Sequence, residues 1–232
     1  SDIYWEEDID KMCMNANRIT SMGFKTVKAH IGYRPPYEDF HRVSALRKTL
    51  GEEVGLMIDL NAGYNNIDAF KAAELWSPLN IKWLEEPLNP NLVDSLADLR
   101  SRTNIPIASG ENEFRLYGFK NLMEKNAVDV IMPDIGRTGG LQETKNICVL
   151  AESFGVSVSP HNFSSGVLFA ATIHLMLSTP NTILLEVDTS GNAIFEEFFI
   201  EPPKIVEGSY AISDYPGLGV ELKNEILEKY SV

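Results

Sequence analysis

The sequence predicts an α/β fold in which strands and helices alternate and a parallel sheet closes into a barrel. Three observations support this. Short apolar runs rich in β-branched residues recur along the 232 residues, as expected of strands buried on both faces of a parallel sheet. Segments of helical period lie between them, giving repeated strand–helix units. An ionisable residue follows each of six strands at nearly constant spacing, so these side chains would converge on one mouth if successive strands are barrel neighbours.

In chain order, the spacing of Ile9, Met12, Ala16 and Ile19 reads as a helix. The strand runs are Thr26 to Ile31, Gly55 to Asp59, Ile81 to Leu84, Ile105 to Ala108, Val128 to Met132, Val156 to Ser159 and Ile183 to Leu185. Helical period marks Ala69 to Trp76, Leu92 to Arg100, Leu116 to Lys125 and Gln142 to Phe154. No strand is visible ahead of the first helix, so the barrel is expected to lack its first strand and to be part of a longer protein. Residues 1–194 form the expected barrel domain. Residues 195–232, with Pro202-Pro203 and Pro216-Gly217-Leu218-Gly219 and little periodicity, form a tail expected to pack on the barrel or on an absent neighbouring domain.

Composition narrows the function. With 44% apolar and 23% charged residues the chain is an ordinary globular one. Thirty-three acids against 20 bases leave a formal charge of −13, which repels phosphate backbones and argues against nucleic-acid partners. Cys13 and Cys148 form neither a disulfide framework nor a Cys-x-x-Cys pair, which suits a reducing, cytoplasmic setting. The longest apolar run, Val167 to Leu177, is too short to span a bilayer. No signal peptide is visible, and nothing supports the Asn162-Phe163-Ser164 sequon as a glycosylation site.

The strand-end residues are Asp59, Glu85, Glu111, Asp134, His161 and Glu186, at intervals of 26, 26, 23, 27 and 25. Any one alone is as readily a helix cap or a solvated loop residue. Six in phase point to chemistry. Asp59, Glu85 and Glu111 form an all-oxygen set suited to Mg²⁺. Asp134 and His161, one strand apart, form a candidate base whose imidazole is oriented by a carboxylate. Lys28 and His30 share one face of their strand across the mouth. Either burial disfavours the charge on Lys28, so that either residue can exchange a proton, or Lys28 pairs with neighbouring acids and His30 fills space. Glu186 is expected either to keep its proton and donate to a developing enolate, or to pair with Lys28 or Arg137. Tyr33, Arg34, Asn61, Arg137 and Asn162 are candidate substrate contacts.

Taken in order, Gly23-Phe24, Val27-Lys28-Ala29-His30, Asp59-Leu60-Asn61, Trp83-Leu84-Glu85-Glu86-Pro87, Gly110-Glu111-Asn112, Met132-Pro133-Asp134, Gly139-Gly140, Ser159-Pro160-His161 and Leu185-Glu186 resemble the enolase superfamily. Within it they resemble the mandelate racemase-like branch. The resemblance covers essentially the whole chain and implies a TIM-like (β/α)₇β barrel with an α+β capping domain, which this sequence lacks. It implies that Asp59, Glu85 and Glu111 hold Mg²⁺, that Asp134 and His161 are the catalytic dyad, and that Glu186 is the enolate hydrogen-bond donor. One position departs: the branch usually carries Lys-x-Lys on the second strand, and here the second lysine is His30.

That departure weakens a two-lysine racemase and leaves His161 as the abstracting base. The segment Gly110-Glu111-Asn112-Glu113-Phe114-Arg115 looks like that of acid-sugar dehydratases. The expected reaction is Mg²⁺-dependent removal of the α-proton of a small carboxylate substrate and loss of its 3-hydroxyl, giving a 2-keto-3-deoxy acid. The alternatives are a racemase or epimerase, a cycloisomerase, and an inactive barrel fragment. A homo-oligomer with no membrane partner is expected.

Overall fold

The computed structural model describes residues 1–4, 8–191, 197–201, 205–210, 212 and 214–230. A seven-stranded parallel sheet runs in sequence order: β1 (Asp2–Ile3), β2 (Thr26–His30), β3 (Gly55–Asp59), β4 (Ile81–Glu85), β5 (Ile107–Ser109), β6 (Val130–Ile131) and β7 (Ser157–Val158). Helices follow the strands: α1 (Ile9–Ser21), α2 (Pro36–Leu50), α3 (Asn66–Trp76), α4 (Val93–Arg102), α5 (Arg115–Glu124), α6 (Ile135–Thr138), α7 (Leu141–Ser153) and α8 (Gly166–Leu177). Each strand lies beside its sequence neighbour, as the barrel reading requires.

The barrel expectation therefore holds, with two corrections. A strand does precede α1: Asp2 and Ile3 pair with Lys28 and Ala29 of β2. Two residues are too few to show a period. In contrast, Ile183 to Leu185 forms no ladder. The chain there is held beside β7 by the Val158–Thr182 bridge, by Ile183 N donating to Val158 O at 2.9 Å, and by Ser159 Oγ donating to Leu184 O at 3.1 Å.

Alternation along the strands divides the core in two. Leu56 and Ile58 belong to the larger cluster packed against the helices. Met57, Trp83, Ala108, Val130 and Met132 form a separate cluster inside the sheet. By the two-residue period, Lys28, Asp59 and Glu85 continue that inner face towards the strands' carboxyl ends. Side-chain caps start several helices: Asp8 accepts from Asp10 N and Lys11 N, Asn65 from Asp68 N and Ser165 from Leu168 N.

Two short strands, β8 (Ile205–Val206) and β9 (Ser209–Tyr210), form a separate antiparallel pair, and α9 (Asn224–Tyr230) closes the described chain. Tyr210 meets Phe169 of α8 edge-on at 5.6 Å, and Phe199 is fully buried. The 194/195 boundary and Pro202-Pro203 lie outside the described residues. Both cysteines are free. Among the described residues no helix is long and apolar enough to cross a membrane.

The amino ends of the strands are tied by buried polar groups. Arg47, buried on α2, donates to Leu79 O and Asn80 O ahead of β4 and to Gly51 O and Val54 O ahead of β3, at 2.6 to 2.9 Å. Asp129 accepts from Arg100 Nε at 2.9 Å and from Ile107 N at 2.8 Å. Removing the guanidinium would strand four carbonyls, each costly to leave unbonded. Arg47→Met is expected to destabilise the fold by about 3 kcal/mol or more, read as a lower urea midpoint with an unchanged m-value.

Candidate active site and metal centre

Register assembles the mouth. His30 pairs with Asp59 and Asp59 with Glu85, so three successive strands present polar side chains in one row. Beyond β5 the chain turns at Gly110, whose φ is +136°. A Cβ there would stand 2.8 Å from Phe119 and 3.0 Å from Met132 N. Only glycine makes this turn without strain, and Glu111 follows it directly. Ligand oxygens of Asp59, Glu85 and Glu111 lie within 4.8 Å of one another.

These carboxylates fit a hard divalent cation. All donors are oxygens, and Asp59 and Glu85 are buried to 1% and 0% exposure. Burial, opposed by Lys28, pushes Asp59 up to about 7. Burial together with the Asp59 charge pushes Glu85 well above the usual carboxylate range. Holding these acids ionised requires more positive charge than Lys28 alone supplies. Asn61 N and Nδ2 donate to the two Asp59 oxygens at 2.9 and 3.2 Å, and Trp83 Nε1 donates to Glu85 Oε2 at 3.2 Å.

Lys28 occupies the centre of the acid group. Its Nζ donates to Glu85 Oε1 at 2.9 Å and to Glu186 Oε1, and stands 3.6 Å from Asp59 Oδ2. Burial works against its charge, but the carboxylates of Glu186, Glu85, Asp2 and Asp59 outweigh it and hold the ammonium well above its ordinary pKa. Of the two expectations for Lys28, pairing with neighbouring acids is the one the contacts favour over a readily deprotonated lysine. For Glu186 the alternative of pairing with Lys28 is the one that forms. Burial would raise it, yet Lys28, His161 and Asn162 N, which donates to Oε2 at 2.6 Å, bring it down to about 2. It stands as an ionised acceptor rather than a retained-proton donor.

His161 and Asp134 come together as expected. Asp134 Oδ2 lies 2.7 Å from His161 Nδ1, and its Oδ1 accepts from Gly136 N at 2.7 Å, so one carboxylate caps α6 and orients the imidazole. His161 Nε2 lies 3.2 Å from Glu111 Oε2. Burial lowers the imidazole pKa, but Asp134, Glu186 and Glu111 outweigh it and bring it to about 9.

The candidate substrate contacts divide. Asn61 and Asn162 are committed inward: Asn61 Oδ1 lies 2.9 Å from His30 Nδ1, and Asn162 Nδ2 donates to Glu186 O at 3.1 Å. Arg137, 38% exposed at its side chain, lies over the dyad, with Nη1 donating to Glu111 O at 3.0 Å and Nε 3.9 Å from Asp134 Oδ2. Tyr33 is 73% exposed and Arg34 faces Glu38 at 3.7 Å on the outer rim, so neither joins the acid group.

Several residues went unread in the sequence. Asp2 is buried beside Lys28. Tyr4 stacks on His30. Glu86, already marked in the sequence as an acid beside an apolar strand, is buried at φ +38° with Oε1 unpartnered and Oε2 accepting from Asn112 Nδ2 at 2.7 Å. The inward position of Trp83 was readable, two residues before Glu85 on one strand face. Asp2 and Tyr4 gave no periodic signal. A cavity of about 380 Å³ on the far side of Lys28 and Glu186 is lined by Met57, Trp83, Met132 and Leu185; Asp59, Glu111 and the dyad do not line it.

Comparison with known proteins gives the family to which the chain is similar. The family model for the enolase C-terminal domain-like fold matches residues 11–226. A D-galactarolactone cycloisomerase from Agrobacterium fabrum is 32% identical over 97% of the chain and 62% of its own length. An arabinonate dehydratase from Saccharolobus solfataricus is 29% identical over 97% of the chain and 60% of its own. The crystal structure of an L-talarate dehydratase from Polaromonas sp. JS666, complexed with Mg and L-glucarate, superposes with a TM-score of 0.86 at 29% identity, covering 97% of this chain and 60% of that one. The chain thus spans about three fifths of the length of these relatives.

Two outcomes test the site. Asp59→Ala is expected to abolish Mg²⁺ binding measured by calorimetry. Lys28→Met leaves buried carboxylates uncompensated. Its melting temperature is expected to fall, and to rise with added Mg²⁺ by more than that of the unmodified protein.

Proposed function

The chain belongs to the enolase C-terminal domain-like family, and we propose that it is the catalytic barrel of a Mg²⁺-dependent lyase that dehydrates a sugar acid to a 2-keto-3-deoxy acid. The observation that carries this reading is the convergence of a carboxylate triad and an Asp134-oriented His161 on one mouth, with His161 Nε2 3.2 Å from the triad member Glu111. Dehydratases and cycloisomerases of sugar acids among the relatives support the substrate class.

Asp59, Glu85 and Glu111 would hold the cation, which supplies Lewis-acid acidification of the α-proton and charge balance for the substrate carboxylate. Asp134 accepts the Nδ1 proton of His161 and so leaves the Nε2 lone pair facing the mouth. In the unliganded site Glu111 helps keep that imidazole protonated. Neutralising Glu111 frees His161 to act as a base. His161 then removes the proton at C2. The same imidazolium donates that proton to the departing 3-hydroxyl, so the C2–H and C3–O bonds break and water leaves.

Across the mouth, Lys28 holds its charge against the negative charge that develops, and Glu186 keeps Lys28 in place. His30, on the same face of β2 as Lys28 and with its pKa lowered by burial, takes the hydroxyl proton of the enol and delivers it to C3 as the enol becomes the ketone. Arg137, over the dyad, is the candidate partner for a substrate oxygen. The barrel is taken to work together with the further length its relatives carry, and as a homo-oligomer.

A second reading, cycloisomerisation, is favoured by the 32% match to a cycloisomerase. Incubating the Mg²⁺-loaded protein with a panel of sugar acids in deuterated water separates the two. Dehydration gives 2-keto acids, and His161→Asn is expected to lower their formation by at least about 10²-fold. Deuterium at the α-carbon or a rearranged ring without any 2-keto acid would instead favour racemisation or cycloisomerisation.

A further inference from the structure

The register of β1 carries more than a strand pairing. Asp2 stands beside Lys28 and Ile3 beside Ala29. One step further along the same two chains, Tyr4 stands beside His30, and the rings stack with centroids 4.8 Å apart and planes inclined by 26°. That separation and tilt suit attractive offset packing of aromatic faces.

Tyr4 is held on two further sides. Its hydroxyl donates to Asp2 Oδ2 at 3.2 Å, two residues back on the same strand face. Its ring also meets that of Phe163, two residues beyond His161, at 5.5 Å and 47°. Burial, with Asp2, Asp188 and Glu186 around it, raises the phenol pKa and keeps the hydroxyl a neutral donor. The ring is thus fixed by a hydrogen bond below and an aromatic neighbour beside it.

An imidazole has two side-chain torsions to fix. Asn61 Oδ1 at 2.9 Å and Asp59 Oδ2 at 3.4 Å both meet His30 at Nδ1, one edge of the ring. A flat partner against one face constrains the ring plane itself, which contacts at an edge constrain less. We propose that Tyr4 is a positioning residue that sets the ring plane of His30, and so the direction of its Nε2, through face-to-face stacking. Its functional importance rests on the proton-transfer role assigned to His30 above, whereas the placement itself is testable without substrate.

The test uses the full chain with isotope-labelled histidine, the His30 signals being assigned from a His30→Gln variant. A stacked phenol ring moves the His30 ring-proton resonances upfield. Tyr4→Phe keeps the ring and loses the hydroxyl; Tyr4→Leu and Tyr4→Met keep the bulk and lose the aromatic face, and two such variants guard against one failing to fold. The upfield displacement is expected to persist in Tyr4→Phe and to be lost in Tyr4→Leu and Tyr4→Met. Ethoxycarbonylation at His30, located by peptide mapping, is expected to accelerate only in the latter two.

Unchanged His30 resonances and modification rate in the aliphatic variants would overturn the inference. So would loss of the displacement in Tyr4→Phe, since the hydroxyl tether and not the stack would then hold the ring. A His30→Ala protein that still makes 2-keto acid at the full rate would instead overturn the role given to His30, and leave its placement by Tyr4 standing.

Discussion

A buried excess of negative charge governs this molecule. Asp59, Glu85, Glu186 and Asp2 surround the single ammonium of Lys28, all of them buried or nearly so. Each carboxylate removed from water costs several kcal/mol unless it is compensated. The Lys28 ammonium alone cannot compensate four carboxylates. The remaining imbalance shows in Asp59 and Glu85, whose protons are hard to remove, while Glu186, nearest the lysine, ionises readily. The fold thus divides its acids into those its own lysine satisfies and those that await a cation from outside. In a protein of net charge −13 such a cation would reverse the local sign at the mouth.

Parallel pairing makes the arrangement possible. Because His30, Asp59 and Glu85 are register partners on adjacent strands, their spacing is set by the ladder and not by loop conformation. The dyad is fixed by a different device. Asp134 spends one oxygen on the first turn of α6 and the other on His161, so the backbone of a helix start orients the imidazole. Glu111 joins the two systems, within reach of both the Asp59 and Glu85 carboxylates and His161 Nε2.

Much of this was legible in the chain. The six strand-end residues recur because each strand–helix unit has nearly the same length, and that periodicity survives without any knowledge of contacts. The protonation states of Lys28 and Glu186 were not legible, because they depend on a contact between residues 158 apart in sequence. Burial alone predicted a neutral lysine; the neighbours decided otherwise. Helix α2 lacks a clean apolar stripe because it buries Asp39, Arg42 and Arg47 along with Val43 and Leu46. Asp2 and Ile3 form a strand only because β2 offers an edge. Ile183 to Leu185 has the composition of a strand but only a bridge and two hydrogen bonds beside β7.

The Arg47 clamp has a consequence for the history of such a chain. It ties the amino ends of β3 and β4 through backbone carbonyls, which every sequence possesses, at the end of the sheet opposite the mouth. Residues at the mouth can then be exchanged while the joints that keep the strands in step stay as they were. A chain built this way can change its chemistry at one end while the joints that hold its strands in step stay fixed at the other.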